Sequence, residues 1–193
     1  MKKFELTAEF VTNVFGKKLF RIKALVAFGD VEKGELGGFI EKEDNLSHDG
    51  NAWVYGNARV FGNAQVYGNA RVSGDARVYG NAQVYGAARV SGNAQVSGDA
   101  RVYGDARVSG NARVYDDADY AVVKGFGRCF RTTTFFRCKD KILRVQCGCF
   151  YGDLAQFREI VKKTHGDSKY AKEYLAIADL MELHFSDECG GEQ

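Results

Sequence analysis

Residues 50–115 repeat a six-residue pattern. In steps of six they read GNAWVY, GNARVF, GNAQVY, GNARVS, GDARVY, GNAQVY, GAARVS, GNAQVS, GDARVY, GDARVS and GNARVY. Gly, Ala and Val keep fixed places, whereas the place of Arg or Gln and the place of Tyr, Ser or Phe vary. Six residues is neither a helix period nor a hairpin spacing, but it is the period of a hexapeptide β-helix. The stretch therefore predicts a solenoid in which three steps complete one triangular coil.

Each place in the repeat has a structural reason. The β-branched Val points inward, and the small Ala two residues earlier points inward beside a corner where nothing larger fits. The Asn or Asp that follows Gly supplies the tight corner, because these residues tolerate the left-handed backbone region. The two variable places face solvent, and stacked coils bring their side chains to the inter-strand spacing of about 4.8 Å.

The register of residues 36–118 resembles the left-handed parallel β-helix of the hexapeptide-repeat superfamily. The strings LFRIKAL, GELGGFIEKEDNLS and GNAWV, which run from residue 19 to residue 54, resemble the opening of GNARV-type repeat proteins of bacteria and their prophages. The resemblance implies a trimer with parallel axes. It does not imply one activity, because the scaffold hosts several unrelated functions.

The flanks do not repeat, so the sequence predicts three parts: an N-terminal β-cap (1–35), the β-helix (36–118) and a small C-terminal α+β module (119–193). In the cap, a strand over 20–28 is expected to pair with a strand over 10–15 through a turn at Gly16. Ile40 and Leu46 are six residues apart, so the coil begins there. The step from Leu46 to Val54 is eight, which predicts a two-residue bulge near His48.

The C-terminal part lacks the six-residue period and instead shows the patterns of strands and amphipathic helices. Residues 131–138 and 141–147 read as a β-hairpin. Asp153 is expected to cap a first helix with Leu154, Phe157, Ile160 and Val161 on one face, and Asp167 or Ser168 to begin a second. The apolar stripe expected on that second helix comprises Ala171, Tyr174, Leu175, Ala178, Met181 and Phe185. The fold class is therefore mainly β, with a left-handed parallel β-helix, a β-cap and an α+β module.

Composition excludes several classes of protein. A net charge of +2 is too small to favour a protein that binds duplex nucleic acid. No apolar run approaches the roughly 18 residues of a membrane span, and the N-terminus is not followed by a signal-peptide core. The expected location is cytoplasmic, where the five cysteines would be reduced thiols rather than disulfides.

The outward places form three columns, because residues eighteen apart stack on one face. The first column holds Trp53, Arg71, Arg89 and Arg107, flanked mainly by Ser. The second holds Arg59, Arg77, Gln95 and Arg113, flanked mainly by aromatic residues. The third holds Gln65, Gln83 and Arg101, beside Tyr67, Tyr85 and Tyr103.

Stacked Arg side chains repel one another unless something intervenes. Water and salt are one possibility, and a subunit interface, where Arg and Tyr are favoured, is another. A phosphate-bearing ligand is the third, since Arg binds phosphate bidentately and Tyr can stack on a base. A second basic and aromatic patch is expected where Arg128, Arg131, Arg137 and Arg144 are interleaved with Phe126, Phe130, Phe135 and Phe136.

Enzymatic interpretations find little support. Acyltransferases of the superfamily resemble one another in using a His general base, and only His48, of three His residues, lies near a coil. Cys129, Cys138, Cys147 and Cys149 with His165 lack the paired spacing of a structural zinc site. No metal or cofactor is therefore predicted.

The functional hypothesis is a non-enzymatic, trimeric binding scaffold whose Arg and Tyr columns take a nucleotide-like anion or a partner protein. The resemblance to prophage proteins suggests an anti-defence role, either sequestering a nucleotide signal or blocking a host protein. The alternatives are an acyltransferase-like enzyme that uses His48 and a structural spacer or oligomerisation module.

Overall fold

The computed structural model describes residues 1–186, and three strands precede the repeats. They are β1 (Phe4–Thr12), β2 (Lys18–Ala24) and β3 (Leu36–Ile40). β1 and β2 form an antiparallel hairpin, and β3 pairs antiparallel with β2. The other edge of β3 pairs in parallel with the repeats, so the cap and the repeats share one sheet.

The repeats form a parallel β-solenoid of about four coils built from two-residue strands. The strands are β4 (Trp53–Val54), β5 (Arg59–Val60), β6 (Gln65–Val66), β7 (Arg71–Val72), β8 (Arg77–Val78), β9 (Gln83–Val84), β10 (Arg89–Val90), β11 (Gln95–Val96), β12 (Arg101–Val102), β13 (Arg107–Val108) and β14 (Arg113–Val114). They stack in three ladders, β4-β7-β10-β13, β5-β8-β11-β14 and β6-β9-β12. The predicted parallel β-helix is confirmed.

The core of the solenoid is made by the two inward places of the repeat. The Ala residues at the inward place from Ala52 to Ala112, and the inward Val residues from Val54 to Val114, have no exposed surface. Backbone N–H groups of one coil donate to carbonyls of the next, as Arg71 does to Ala88 at 2.9 Å. Burial of Val and continuous backbone pairing together hold each coil on its neighbour.

The corners require glycine because consecutive coils nearly touch there. Gly86 has φ +68°, and a Cβ built on it would lie 2.9 Å from the backbone nitrogen of Gly104 in the next coil. Both the left-handed backbone and the missing side chain are therefore needed at this position.

Two additional residues enter the first coil where the sequence predicts a bulge. Ile40 pairs with Val60, and Leu46 forms a bridge with Val66. Those partners are twenty residues apart, whereas Val54 pairs with Val72 eighteen residues on. The two extra residues therefore lie between Leu46 and Val54, as predicted.

Residues before Ala52 supply hydrogen-bond donors to the first complete coil. The carbonyls of that coil have no complete coil before them to pair with, and each would cost free energy if left buried and unpaired. Lys3 Nζ donates to the carbonyl of Ala52 at 2.9 Å, and Asn45 Nδ2 donates to that of Ala64 at 2.8 Å. The backbone N–H of Phe39 donates to the carbonyl of Ala58 at 2.9 Å. All three sides of the triangle are thus closed.

The cap strands differ from prediction in their bounds. The first strand is Phe4–Thr12 rather than 10–15, and the second ends at Ala24 rather than 28. The hairpin register pairs Phe4 with Ala24, so β2 ends where its partner strand begins. The turn at Gly16, with φ +75°, is confirmed.

The chain divides into two compact units, Met1–Ala118 and the residues from Asp119 onward. The second unit contains an antiparallel sheet of β15 (Tyr120–Phe126), β16 (Arg131–Arg137), β17 (Leu143–Cys147) and β18 (Phe150–Asp153), in that order. The predicted hairpin is β16-β17, and the strands on either side of it, β15 and β18, were not predicted.

Two helices complete this unit, α1 (Leu154–His165) and α2 (Lys169–His184). The predicted caps are present: Asp153 Oδ1 accepts from the backbone N–H of Gln156, and Ser168 Oγ accepts from that of Ala171. The helices pack on Phe135 and Val145 of the sheet. Ile160, predicted to be buried, is 38% exposed, whereas Ile177 is buried although the predicted stripe omitted it. Neither helix in the described part of the chain is long and apolar enough to cross a membrane.

Candidate functional site: arginine and aromatic columns

The first column has the predicted register. Trp53 pairs with Arg71, Arg71 with Arg89 and Arg89 with Arg107. Its first member is not a surface residue, however, because Phe4 and Phe28 of the cap pack on the Trp53 ring, with centroids 6.2 and 5.4 Å away. The cap therefore covers the beginning of this face.

The cap also neutralises part of the first column. Asp30 Oδ2 lies 2.7 Å from Arg71 Nη1, and the Tyr55 hydroxyl donates to Asp30 Oδ1 at 3.2 Å. Partial desolvation alone would raise the pKa of the Asp30 carboxylate. The hydrogen bonds and the positive charge of Arg71 outweigh this effect and hold the pKa below its ordinary value. Burial raises the pKa of Tyr55 to about 12. The carboxylate that neutralises the charge of Arg71 thus lies in a loop of the cap. In the sequence, only the turn-forming Gly29-Asp30 pair indicates this loop.

The second column is more open to an external anion. Arg59 pairs with Arg77, Arg77 with Gln95 and Gln95 with Arg113. Within residues 1–186, no carboxylate forms an ion pair with any of these three Arg side chains. Two cations about 4.8 Å apart repel by roughly 1 kcal/mol even in bulk water. An external anion beside them would remove that cost.

Aromatic rings run alongside the second column. Phe61 and Tyr79 stack with centroids 5.0 Å apart and planes 4° from parallel. The Tyr79 hydroxyl donates to Gln95 Oε1 at 3.3 Å. Phe61 is buried against Leu19 of β2 and Phe39 of β3. The result is a rigid apolar strip beside the Arg side chains.

The third column carries a continuous tyrosine stack. Tyr67 and Tyr85 have ring centroids 4.8 Å apart, and Tyr85 and Tyr103 have centroids 5.4 Å apart. Burial, with a smaller contribution from Tyr85, raises the pKa of Tyr67. Both faces of Tyr85 are covered by its neighbours, so a base can stack only on the ends of this ladder unless the rings separate. The expected role of Tyr85 as a stacking platform is therefore restricted by the stack itself.

The Arg residues predicted as a second patch do not form one surface. Arg137 Nη2 donates to the Phe185 carbonyl at 3.0 Å, on the side where the helices pack. Arg144 pairs across the strands with Phe136, so it lies on the opposite face of the sheet, and it forms an ion pair with Asp140 at 2.8 Å. Arg131 lines a cavity. Strand parity places Arg144 on the opposite face from Arg131 and Arg137, which lie on one face at opposite ends of β16.

His48 is engaged in holding the cap. Its ring stacks on Phe4 with centroids 4.3 Å apart, and its Nδ1 accepts from the backbone N–H of Lys3 at 3.2 Å. Its Nε2 lies 3.5 Å from Glu43 Oε2. A general base needs an available ring nitrogen near its substrate. The geometry gives His48 a structural role and weakens the acyltransferase alternative.

The cysteines do not gather around a metal. The four cysteines of residues 1–186 form no disulfide, and no group of three or more His, Cys, Asp or Glu side chains in that range is arranged to hold a metal ion. Cys147 Sγ instead accepts from the Thr133 hydroxyl at 3.2 Å. The fifth cysteine, Cys189, lies outside the described residues.

Comparison with protein families agrees with the geometry. The sequence profile described as the YdcK beta solenoid repeat matches in overlapping segments at 52–68, 64–80, 70–86, 76–92, 82–98, 94–109 and 106–118. Residues 52–118 are β-solenoid repeats. The profile covers the solenoid and neither the cap nor the C-terminal unit, and no curated protein matches the chain.

Proposed function

We propose that this β-solenoid repeat protein is a non-enzymatic scaffold that binds an anionic ligand along its second column. One observation carries the proposal: Arg59, Arg77 and Arg113 stand in parallel register with no carboxylate partner among residues 1–186. A phosphate group between two such side chains gains charge-assisted hydrogen bonds and removes their repulsion. A nucleotide suits the site, because its base can contact the adjacent aromatic strip.

The first and third columns are less suited than the second to bind an anion. Arg71 already has Asp30 as its partner. The cleft beside the third column, about 350 Å³ in volume, includes Asp44 among its lining residues, and a carboxylate there disfavours an anion. The second column therefore combines Arg side chains that lack a carboxylate partner among residues 1–186 with the adjacent apolar strip of Phe61 and Tyr79.

The proposal includes a trimer that acts in the cytoplasm. The third column is the face that best suits a subunit interface, because its side chains are mostly uncharged and include Tyr, a residue type enriched at interfaces. Light scattering of the purified chain would give three times the chain mass. A monomeric mass would exclude the trimer without affecting ligand binding by one solenoid.

The test is a calorimetric titration of the full chain with ATP, pyrophosphate and adenosine. We expect ATP to bind more tightly than pyrophosphate, and adenosine to bind least. Replacing Arg59, Arg77 and Arg113 together by Gln should weaken ATP binding at least tenfold, since each charge-assisted hydrogen bond is worth about 1.5–3 kcal/mol. The matched control replaces Arg71, Arg89 and Arg107 by Gln, which removes the same charge from another face.

The outcomes separate a specific site from general charge attraction. Equal losses in the two triple variants would show that only net charge matters, and the absence of ATP binding would leave a structural spacer as the better interpretation. The biological form of the proposal is a phage-encoded protein that sequesters a nucleotide signal or blocks a host defence protein. Expression in a bacterium protected by nucleotide signalling would then restore phage plating, and the Arg59/Arg77/Arg113 variant would not.

A further inference from the structure

A cavity of about 320 Å³ opens to the surface of the C-terminal unit and is lined by residues of its sheet and its helices. Its floor is apolar and includes Phe150, Phe157 and Val161. Sites for small organic ligands begin at about 300 Å³ and are mostly apolar with a few convergent polar groups. The cavity therefore has the size and floor of a small-molecule site.

The charged lining of the cavity is cationic. Arg128 and Arg131 line it, and none of its lining residues is acidic. In the part of the chain that the structure describes, neither Arg128 nor Arg131 forms an ion pair with a carboxylate. Two unpaired guanidinium groups above an apolar floor match a ligand with a negative head and an apolar body.

Two glycines shape this space. A Cβ on Gly148 would lie 2.6 Å from Arg131 Nη1, and a Cβ on Gly127 would lie 2.2 Å from the Tyr174 hydroxyl oxygen. Both glycines have positive φ, +60° and +71°. These backbone positions let Arg131 and Tyr174 fold over the chain toward the cavity, which a larger residue would prevent.

Tyr174 closes one wall of the cavity and is held in place by several contacts. Its hydroxyl donates to the Phe126 carbonyl at 3.4 Å, and its ring stands 5.8 Å from both Phe157 and His165. Burial raises the pKa of Tyr174 to about 12. It therefore stays neutral beside the Arg groups and does not compete with a ligand for their charge.

We infer that this cavity binds a small amphipathic anion, an aromatic or aliphatic body that carries one phosphate or carboxylate group. The apolar body lies against Phe157 and Val161, and the anionic head lies between Arg128 and Arg131. This site is separate from the second column and does not depend on it.

The test uses methyl NMR of the full chain titrated with phenyl phosphate. The Ile160 methyl group, which lines the cavity, should shift saturably, whereas that of Ile22 in the cap should not. Arg131→Gln and Arg128→Gln should each raise the dissociation constant on the order of tenfold. Lys172→Gln is the matched control, because Lys172 is exposed on α2 and outside the cavity lining.

Two simpler probes decide whether both halves of the ligand are needed. Inorganic phosphate and toluene should each bind much more weakly than phenyl phosphate. Equal affinity for inorganic phosphate would show that the apolar floor contributes nothing, and equal affinity for toluene would show that the Arg residues contribute nothing. Either result overturns the inference, as would an unshifted Ile160 methyl at millimolar phenyl phosphate or an equal loss in Lys172→Gln.

Discussion

Replacing Gly86 by Ala tests whether direct contact between coils sets the spacing of the columns. At this corner a Cβ would lie 2.9, 3.2 and 3.3 Å from the backbone N, O and Cα of Gly104, all closer than the 3.4–4 Å of ordinary van der Waals contact. Gly104 provides the matched control. It has nearly the same φ, +65° against +68°, but a Cβ there meets nothing within 4 Å.

The two substitutions share one energy term and differ in another. A non-glycine residue in the left-handed region costs about 1–2 kcal/mol, and the lower entropy of the unfolded chain offsets about 0.4–1 kcal/mol of it. Gly104→Ala should therefore destabilise by about 1 kcal/mol. Gly86→Ala adds the cost of forcing two backbones apart, about 1–3 kcal/mol by analogy with overpacked cores. The expected total is about 2–4 kcal/mol.

Urea unfolding followed by far-UV circular dichroism measures the difference. The midpoint should fall further for Gly86→Ala than for Gly104→Ala, with little change in the denaturant slope. Gly56→Ala is a second control from the first coil, since its Cβ would lie 4.0 Å from the nearest atom, with φ +60°. If all three variants lost the same free energy, backbone strain alone would explain the glycines, and close coil contact would not.

Two further predictions concern the cap. Burial lowers the pKa of Lys3 from 10.5 to about 8, so between these values the folded state binds fewer protons than the unfolded state. The free energy of unfolding should therefore rise from pH 8 to about pH 10, by at most about 1.4 kcal/mol per pH unit. Above that, deprotonation of unfolded tyrosines reverses the trend. The rise, measured by urea unfolding under reducing conditions, should vanish in Lys3→Met and persist in Lys2→Met; a rise that persisted in Lys3→Met would assign it to other groups. His48→Ala should lower the unfolding free energy by about 1–2 kcal/mol through the lost stacking and hydrogen bond and leave ATP binding unchanged. If His48→Ala lost ATP binding but kept its unfolding free energy, His48 would have a role in binding rather than in holding the cap.

Much of the fold could be predicted because the solenoid is local and periodic. Each six-residue step contains its own corner, its own inward Val and its own outward pair, so the columns follow from counting. The two-residue bulge was also predictable, since Leu46 and Val54 break the count. The strands β15 and β18 were missed because Tyr120–Phe126 and Phe150–Asp153 show no clear alternation and are stabilised by their neighbours in the sheet.

The candidate site could be predicted only in part. Arg59, Arg77 and Arg113 were identified as a column, but nothing near them in sequence indicates that they lack a carboxylate. Asp30 comes 41 residues before Arg71, and the loop between β2 and β3 brings the two together. Arg131 and Arg144 looked equivalent in sequence, although strand register places one beside a cavity and the other beside Asp140.

The amino-acid sequence of the repeat determines the solenoid, its inward core and its stacked columns, because the contacts between repeats that form them join residues eighteen positions apart or fewer. The distribution of charge over those columns, the structural use of His48 and the C-terminal cavity arise from contacts between segments far apart in the chain. Such contacts depend on how the cap and the helices pack, and packing has no period that could be seen in a sequence.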